Sequence, residues 1–427
     1  MLFIKRIVLE IKKGGIKTFI KKFITVNSLI LSIPIYLISL ISLVVIYVIR
    51  PSYLIRFGNL NSSRLGHFVA NTELYLCEKD KNINLPRQKF IDLFFFQKIS
   101  NYQIAKMWKR ELNVIPKFLL EPIYLINKYI SNYFSFAKKH LIKSSCSDRD
   151  INNLLDETEP HLHFTREEII EGEKYLKKFG LETSSKFVCL IVRDKAYLNS
   201  MYPEKNWQHH NFRNQDIENF YKAADKITQR GYYVFRMGSL VEKKFKNNNK
   251  MIIDYANSPH KSDFLDVYLG ANCSFCISTS TGFDAIPYVF RRPIAYVTVP
   301  IKYFFTFSRN FLIIAKHHFS KNLNKKLSFS EIVDLGVIDC VYSADFEKKN
   351  ISLIENSPEE IEELCNEMMD RIENKWIENK DNVEMQKKFW DNYKNKFLDK
   401  TVLSPIHGEL RSKMCSNFLK KNPEWLI

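Results

Sequence analysis

Apolar and polar positions along the chain fall into three regimes. No charged residue stands between Lys22 and Arg50, and Ser28 to Ile49 is almost wholly apolar. From Tyr53 onward short apolar runs alternate with amphipathic stretches. Tyr53–Phe57 and Ile91–Phe96 predict strands, with helices over Phe68–Cys77 and Tyr102–Leu112. Further strands are predicted at Phe187–Val192, Tyr232–Arg236, Met251–Tyr255, Cys273–Ile277 and Ile294–Val299. Between them, the pattern predicts helices from Thr165 to Gly180, Asp216 to Arg230 and Asp263 to Gly270. Thr165 with Glu168, Ser262, and Ser357-Pro358-Glu359-Glu360 supply the start signals expected of helices. Past Phe305 the pattern changes and helices dominate. This alternation is that of an α/β domain with a parallel sheet.

Four regions follow. Residues 1–50 form a basic amphipathic segment and an apolar anchor, 51–180 and 181–345 two Rossmann-like domains, and 346–427 C-terminal helices. The apolar run matches the ~20 residues needed to cross a bilayer. Ahead of it, Lys5, Arg6, Lys12, Lys13, Lys17, Lys21 and Lys22 lie among apolar positions at helical spacing, as in interfacial helices. Pro34 allows a helix that dips in and returns; a plain crossing is the other topology. Phe118–Tyr133, aromatic, apolar and basic, is a second stretch expected near the membrane.

The formal charge of +17 over 427 residues suggests an acidic partner. Acidic and basic residues are mixed through most of the chain, and no nucleic-acid-binding signature is present, so a phosphorylated substrate or an anionic membrane fits better than nucleic acid. The eight cysteines are scattered among apolar residues, as reduced core thiols are. Cys273-x-x-Cys276 lies within a predicted strand and reads as packing. His161-x-His163 and His209-His210 have no partners at metal-ligand spacing and read as surface loops. Tyr202 and Trp207 are either stacking residues or packing.

The most informative segment is Ser278-Thr279-Ser280-Thr281-Gly282, a hydroxyl-rich turn between a predicted strand and a predicted helix. In a parallel sheet such a turn sits at the carboxyl edge, where backbone N–H groups and hydroxyls meet phosphate. Ser280, Thr281 and Gly282 are therefore candidate phosphate ligands. Arg193 and Arg236, each closing a predicted strand, are candidate phosphate-gripping arginines, with Gly238 beside the second. Arg64 and Gly66 would bring backbone close to the same cleft. His67 and Glu73 are the candidate catalytic acid–base residues, and Asp284 is expected to support its helix's first turn. No D-x-D marks a metal-binding loop, so no metal is expected.

Several blocks in order are similar to a family of bacterial glycosyltransferases found with surface-polysaccharide genes. They are Arg64-Leu65-Gly66-His67 with Asn71-Thr72-Glu73, Val192-Arg193-Asp194 with Tyr197-Leu198-Asn199, and Arg236-Met237-Gly238. Asp254-Tyr255-Ala256 with Ser262–Asp266, and Ile277–Gly282, complete the set. The resemblance runs from about Arg56 to the C-terminus. It implies a GT-B-like fold, two Rossmann-like halves facing a cleft, distantly similar to fucosyltransferases and heptosyltransferases. It further implies a nucleotide-sugar donor as substrate and no cofactor; the anchor then points to a lipid-linked or growing glycan acceptor, at the cytoplasmic face of the inner membrane where nucleotide donors are. A single Arg193 stands where fucosyltransferases usually carry a His and paired arginines, and Ser280 where heptosyltransferases carry Asp. The alternatives are a dehydrogenase, whose G-x-G-x-x-G is missing, and a non-catalytic membrane-bound module with a degenerate Rossmann-like site.

Overall fold

A computed structural model describes residues 33–143, 149–182, 184–201, 204, 206–299, 308–394, 408–409 and 411–427. Its chain forms two compact units. Unit 1 takes residues up to Leu60, Leu85–Gln97 and Leu112–Lys143; unit 2 takes Asn61–Asn84, Lys98–Glu111 and Ser144–Ile427.

Unit 2 is built on a seven-stranded sheet. Runs of Val, Ile, Leu and Phe bounded by polar turns make strands that are buried on both faces, as parallel sheets require. In chain order the strands are β3 (Phe187–Ile191), β4 (Tyr233–Arg236), β5 (Ile252–Ile253), β6 (Phe275–Ser278), β7 (Ile294–Thr298) and β8 (Phe311–Ala315). A three-stranded antiparallel sheet follows, of β9 (His317–Ser320), β10 (Lys325–Lys326) and β11 (Ile351–Ile354), and β12 (Lys413–Met414) returns to the large sheet. The large sheet has the order β12-β8-β7-β6-β3-β4-β5, and every pair is parallel. The chain therefore winds outward from β3 to β5, then restarts beside β3 with β6 and winds the other way. That reversal is the topological switch point of a doubly wound sheet.

The predicted helix starts hold. Thr165 and Ser357 form capping boxes with Glu168 and Glu360, and the Ser262 hydroxyl accepts from the Leu265 amide at 3.2 Å. The C-terminal region is more than helices: β11 and β12 belong to it, and the helix Pro358–Ile372 buries Ile361, Leu364, Cys365, Met368 and Met369.

Unit 1 differs from the expected second Rossmann-like domain. Among the described residues it holds two parallel strands, β1 (Leu54–Asn59) and β2 (Phe90–Phe95). Helix α1 covers 33–49. Helices α2 (Leu65–Asp80) and α3 (Tyr102–Glu111), expected to flank the first sheet, belong to unit 2. Helix α4 (Lys117–Ser131) closes unit 1, whose core is Leu43, Phe57, Phe95 and Leu120. The Arg56 guanidinium grips Asp92 bidentately at 2.6 and 2.7 Å across β1 and β2.

The expected membrane helix, Ser28–Ile49, is described only from residue 33. Among the described residues no helix is long and apolar enough to cross a membrane. Helix α1 gives one face to protein: Leu43 and Ser39 are buried, and the Tyr47 hydroxyl donates to Asn127 Oδ1 at 2.8 Å. The basic stretch and the start of the apolar run, up to residue 32, lie outside the described residues, as does Tyr202.

Candidate functional site

The carboxyl ends of β3 and β6 lie side by side, in register from Val188–Phe275 to Ile191–Ser278. The turn after β6 crosses to the end of β3, where the Thr279 hydroxyl accepts from the Arg193 amide at 2.7 Å. Below the turn, Asp284 Oδ2 accepts from Ser278 Oγ at 2.7 Å and from the Thr281 amide at 3.0 Å. Ser280 takes a left-handed backbone conformation, φ 63°, one that costs a non-glycine residue about 1 kcal/mol or more. Its surroundings hold it there. Ser280 Oγ meets Thr298 Oγ1 at 2.7 Å, and the Arg213 guanidinium donates to its carbonyl at 2.6 Å.

Two further basic side chains lie here: Arg213, which the sequence reading passed over, and His210, which it placed in a surface loop. The segment between β3 and the helix Tyr221–Gln229 brings His210 and Arg213 to the same place as Arg193. It is tied down by the buried Lys316, whose Nζ donates to the carbonyl of Asn214 at 2.5 Å. Gln215 adds a bond to the Val297 carbonyl at 2.9 Å. Burial, the repulsion of Arg213 and only partial relief from Asp194 push the Arg193 guanidinium down to about 10. Burial also lowers Arg213, against the attraction of Asp284. His210 is pushed down to about 4 by burial and by His209, Arg193, Arg213 and Arg64. Arg193 Nε and His210 Nδ1 are buried with no hydrogen-bond partner. Arg193 and Arg213 therefore repel one another at one strand end, and with Arg64 they keep the His210 imidazole uncharged. A local signal existed: Arg213 and the histidines stand in the polar loop directly after β3, the loop a switch point uses.

Arg64 is the N-cap residue of α2 and is exposed. Gly66 in its first turn is in backbone contact with Gly282. A Cβ on Gly66 would sit 3.2 Å from Gly282 Cα, and one on Gly282 would sit 3.3 Å from the Gly66 nitrogen. Bare backbone on both sides lets the start of a 16-residue helix approach the turn.

Other predicted ligands lie elsewhere or are engaged. Arg236 is almost fully buried and pairs with Asp254 at 3.2 Å. Gly238, φ 150°, serves a tight bend where a Cβ would strike Val241 at 2.6 Å. The Ser280 hydroxyl is held by Thr298, and the Thr281 hydroxyl accepts from the Phe283 amide at 3.2 Å. The helix after the turn, Ala285–Val289, has only five residues, too few to give a useful macrodipole. His67 is half-buried in the first turn of α2.

Glu73 is fully buried, with Oε1 2.8 Å from Arg291 Nη2 and 3.1 Å from His161 Nδ1. The other imidazole nitrogen, Nε2, lies 3.0 Å from Asp80 Oδ2. Burial opposes the charged imidazole. Hydrogen bonds with Cys77 and Glu73 outweigh it and raise His161 to about 10. Glu73, Cys77 and His161 bring metal-capable atoms within 4.8 Å of one another, yet the Arg291 guanidinium already supplies the positive charge. His161, expected in a surface loop, is part of this network.

No family model matches the chain, and no curated protein does. Among solved structures it is similar to a family 9 glycosyl transferase from Veillonella parvula (10% identity, TM-score 0.40, covering 74% of this chain and 98% of that one). It is also similar to the ADP-heptose LPS heptosyltransferase II of E. coli (12%, TM-score 0.35, 61% and 90%). A third is E. coli heptosyltransferase WaaC (12%, TM-score 0.31, 69% and 100%). Likenesses of this size carry no argument about function, which rests on the site itself.

Proposed function

We propose that the chain is a membrane-associated glycosyltransferase that takes a sugar from a nucleotide-sugar donor and passes it to a lipid-linked or growing surface glycan. The observation that carries this reading is the pair of buried arginines, Arg193 and Arg213, that meet at the turn between β3 and β6 with Arg193 Nε left without a hydrogen-bond partner. A buried cluster of like charge is costly unless an anion joins it, and a diphosphate is the anion a doubly wound sheet accepts there. Arg193 and Arg213 would hold the diphosphate and stabilise it as it leaves the anomeric carbon. The amino end of α2 would add its dipole from the Gly66 side. Arginines in these places reduce the need for a divalent ion, so we take the reaction to be metal-independent. Glu73, spent on Arg291 and His161, is set aside as the base; His67 stays as the candidate. The cytoplasmic face of the inner membrane, where nucleotide donors are, is the place we assign.

The test is calorimetry of UDP, GDP, CMP and ADP with the full chain, with and without chelator. Binding of one diphosphate, unchanged by chelator and weakened by roughly 10- to 100-fold in Arg193→Ala, is the expected result. The two-stranded sheet of unit 1 favours a second reading, a non-catalytic module whose acceptor half is reduced. Diphosphate binding without transfer to any lipid-linked glycan would select it, and binding of none would reject the donor site.

A further inference from the structure

Unit 1 leaves much of its apolar surface outside. On α1, Leu37, Ile41, Val44 and Val48 follow helical spacing and are 58%, 66%, 53% and 72% exposed, and Ile33, Ile38 and Val45 beside them are also more than half exposed. The opposite side of α1 delivers Leu43 to the core. On α4, Phe118, Leu125 and Tyr129 form a second exposed stripe, continued past the helix by Tyr133 and Phe134. Two helices that share one core thus each present an apolar face to solvent. A run of this size marks a contact surface, unlike single exposed leucines.

The charges beside the α4 stripe, and those that precede α1 in the sequence, identify what covers the two stripes. Lys117 and Lys128 lie on α4, and Lys138 and Lys139 follow soon after. Lys5, Arg6, Lys12, Lys13, Lys17, Lys21 and Lys22 precede α1 in the chain against a lone Glu10. Two copies of this face would bring like charges together, which opposes association. A bilayer with anionic headgroups receives both the apolar stripes and the lysines, and tyrosines suit the headgroup level. We infer that unit 1 seats on an anionic lipid surface through the outward stripes of α1 and α4 together, with α1 lying in the plane of the interface. The inference rests on the membrane part of the proposed function and is independent of sugar transfer.

The experiment is flotation of the full chain with vesicles of phosphatidylcholine alone or with phosphatidylglycerol added. Two triple variants are compared: Leu37→Glu/Ile41→Glu/Val48→Glu, and Phe118→Glu/Tyr129→Glu/Tyr133→Glu. All six residues are exposed, so circular dichroism should be unchanged. The native chain is expected to float with the anionic vesicles, and each triple to lower the bound fraction by roughly tenfold or more. An α4 triple that floats like the native chain would overturn the shared surface. So would triples that convert a lipid-free dimer to monomer while flotation persists, because the occupant would then be a second copy. Nitroxide labels at positions 37, 41, 44 and 48 should report one depth; a progression of about 1.5 Å per residue would mean crossing and overturn the in-plane geometry. Flotation that persists where nucleotide binding fails supports this inference while removing the transferase reading.

Discussion

Glu73 and Arg193 both lie in unit 2 with most of their side chains out of water, yet their neighbourhoods are opposite in kind. Glu73 faces Arg291 and His161, and His161 reaches on to Asp80. Arg193 faces Arg213 and His210, with Asp194 and Asp284 as partial relief. A set of opposite charges holds the fold together through Glu73 Oε1, while Oε2 is buried with no hydrogen-bond partner. An open set of like charges costs stability and is relieved by an incoming anion. The identity of a residue does not decide between these roles, since Arg236, at the end of the strand next to β3, is paired with Asp254.

The sharpest way to break this comparison is Glu73→Ala. It leaves a buried guanidinium and imidazolium without their carboxylate, and urea unfolding should show a loss of about 3–5 kcal/mol. A Glu73→Gln enzyme of full stability and no turnover would instead return Glu73 to catalysis. Arg193→Ala should behave in the opposite way. Loss of its charge-assisted bonds should weaken diphosphate binding by roughly 10- to 100-fold, measured by calorimetry, while thermal unfolding shifts little or upward because repulsion with Arg213 is removed.

The two clusters should also titrate with opposite sign. His161 is raised above its unfolded value, so its contribution to stability is complete below about pH 6.5 and lost as pH rises through about 10. His210 is lowered to about 4, so its contribution is present above about pH 6.5 and lost as pH falls toward about 4. A diphosphate near His210 would raise it again. Binding should therefore take up protons in that acidic window, measurable by calorimetry in buffers of different ionisation enthalpy; no uptake would detach His210 from the site. The smallest effect is expected from Gly66→Ala. Its Cβ would need Gly282 to shift by a few tenths of an ångström, at a cost of about 1 kcal/mol in thermal unfolding. A fully neutral change would show that the backbones need not be so close.

Local pattern alone determined the strands of the doubly wound sheet from β3 to β7, the helix starts at Thr165, Ser262 and Ser357, and the hydroxyl turn after β6. Each depends on hydrophobic period or on capping chemistry within a few residues, which a linear reading can see. The same reading put Arg193 first and Arg236 second as strand-end cations, because nothing local marks Asp254 as the partner of Arg236. Tertiary structure decided the rest. It carried β12 from the far end of the chain into the sheet, gave α2 and α3 to unit 2, and left unit 1 with two strands among the described residues. It joined Glu73 to Arg291, more than two hundred residues away, and gathered Arg64, Arg193, His210 and Arg213. Pairing of charges across such separations follows from where the packed sheet and helices place their ends, and no periodicity in the sequence records it.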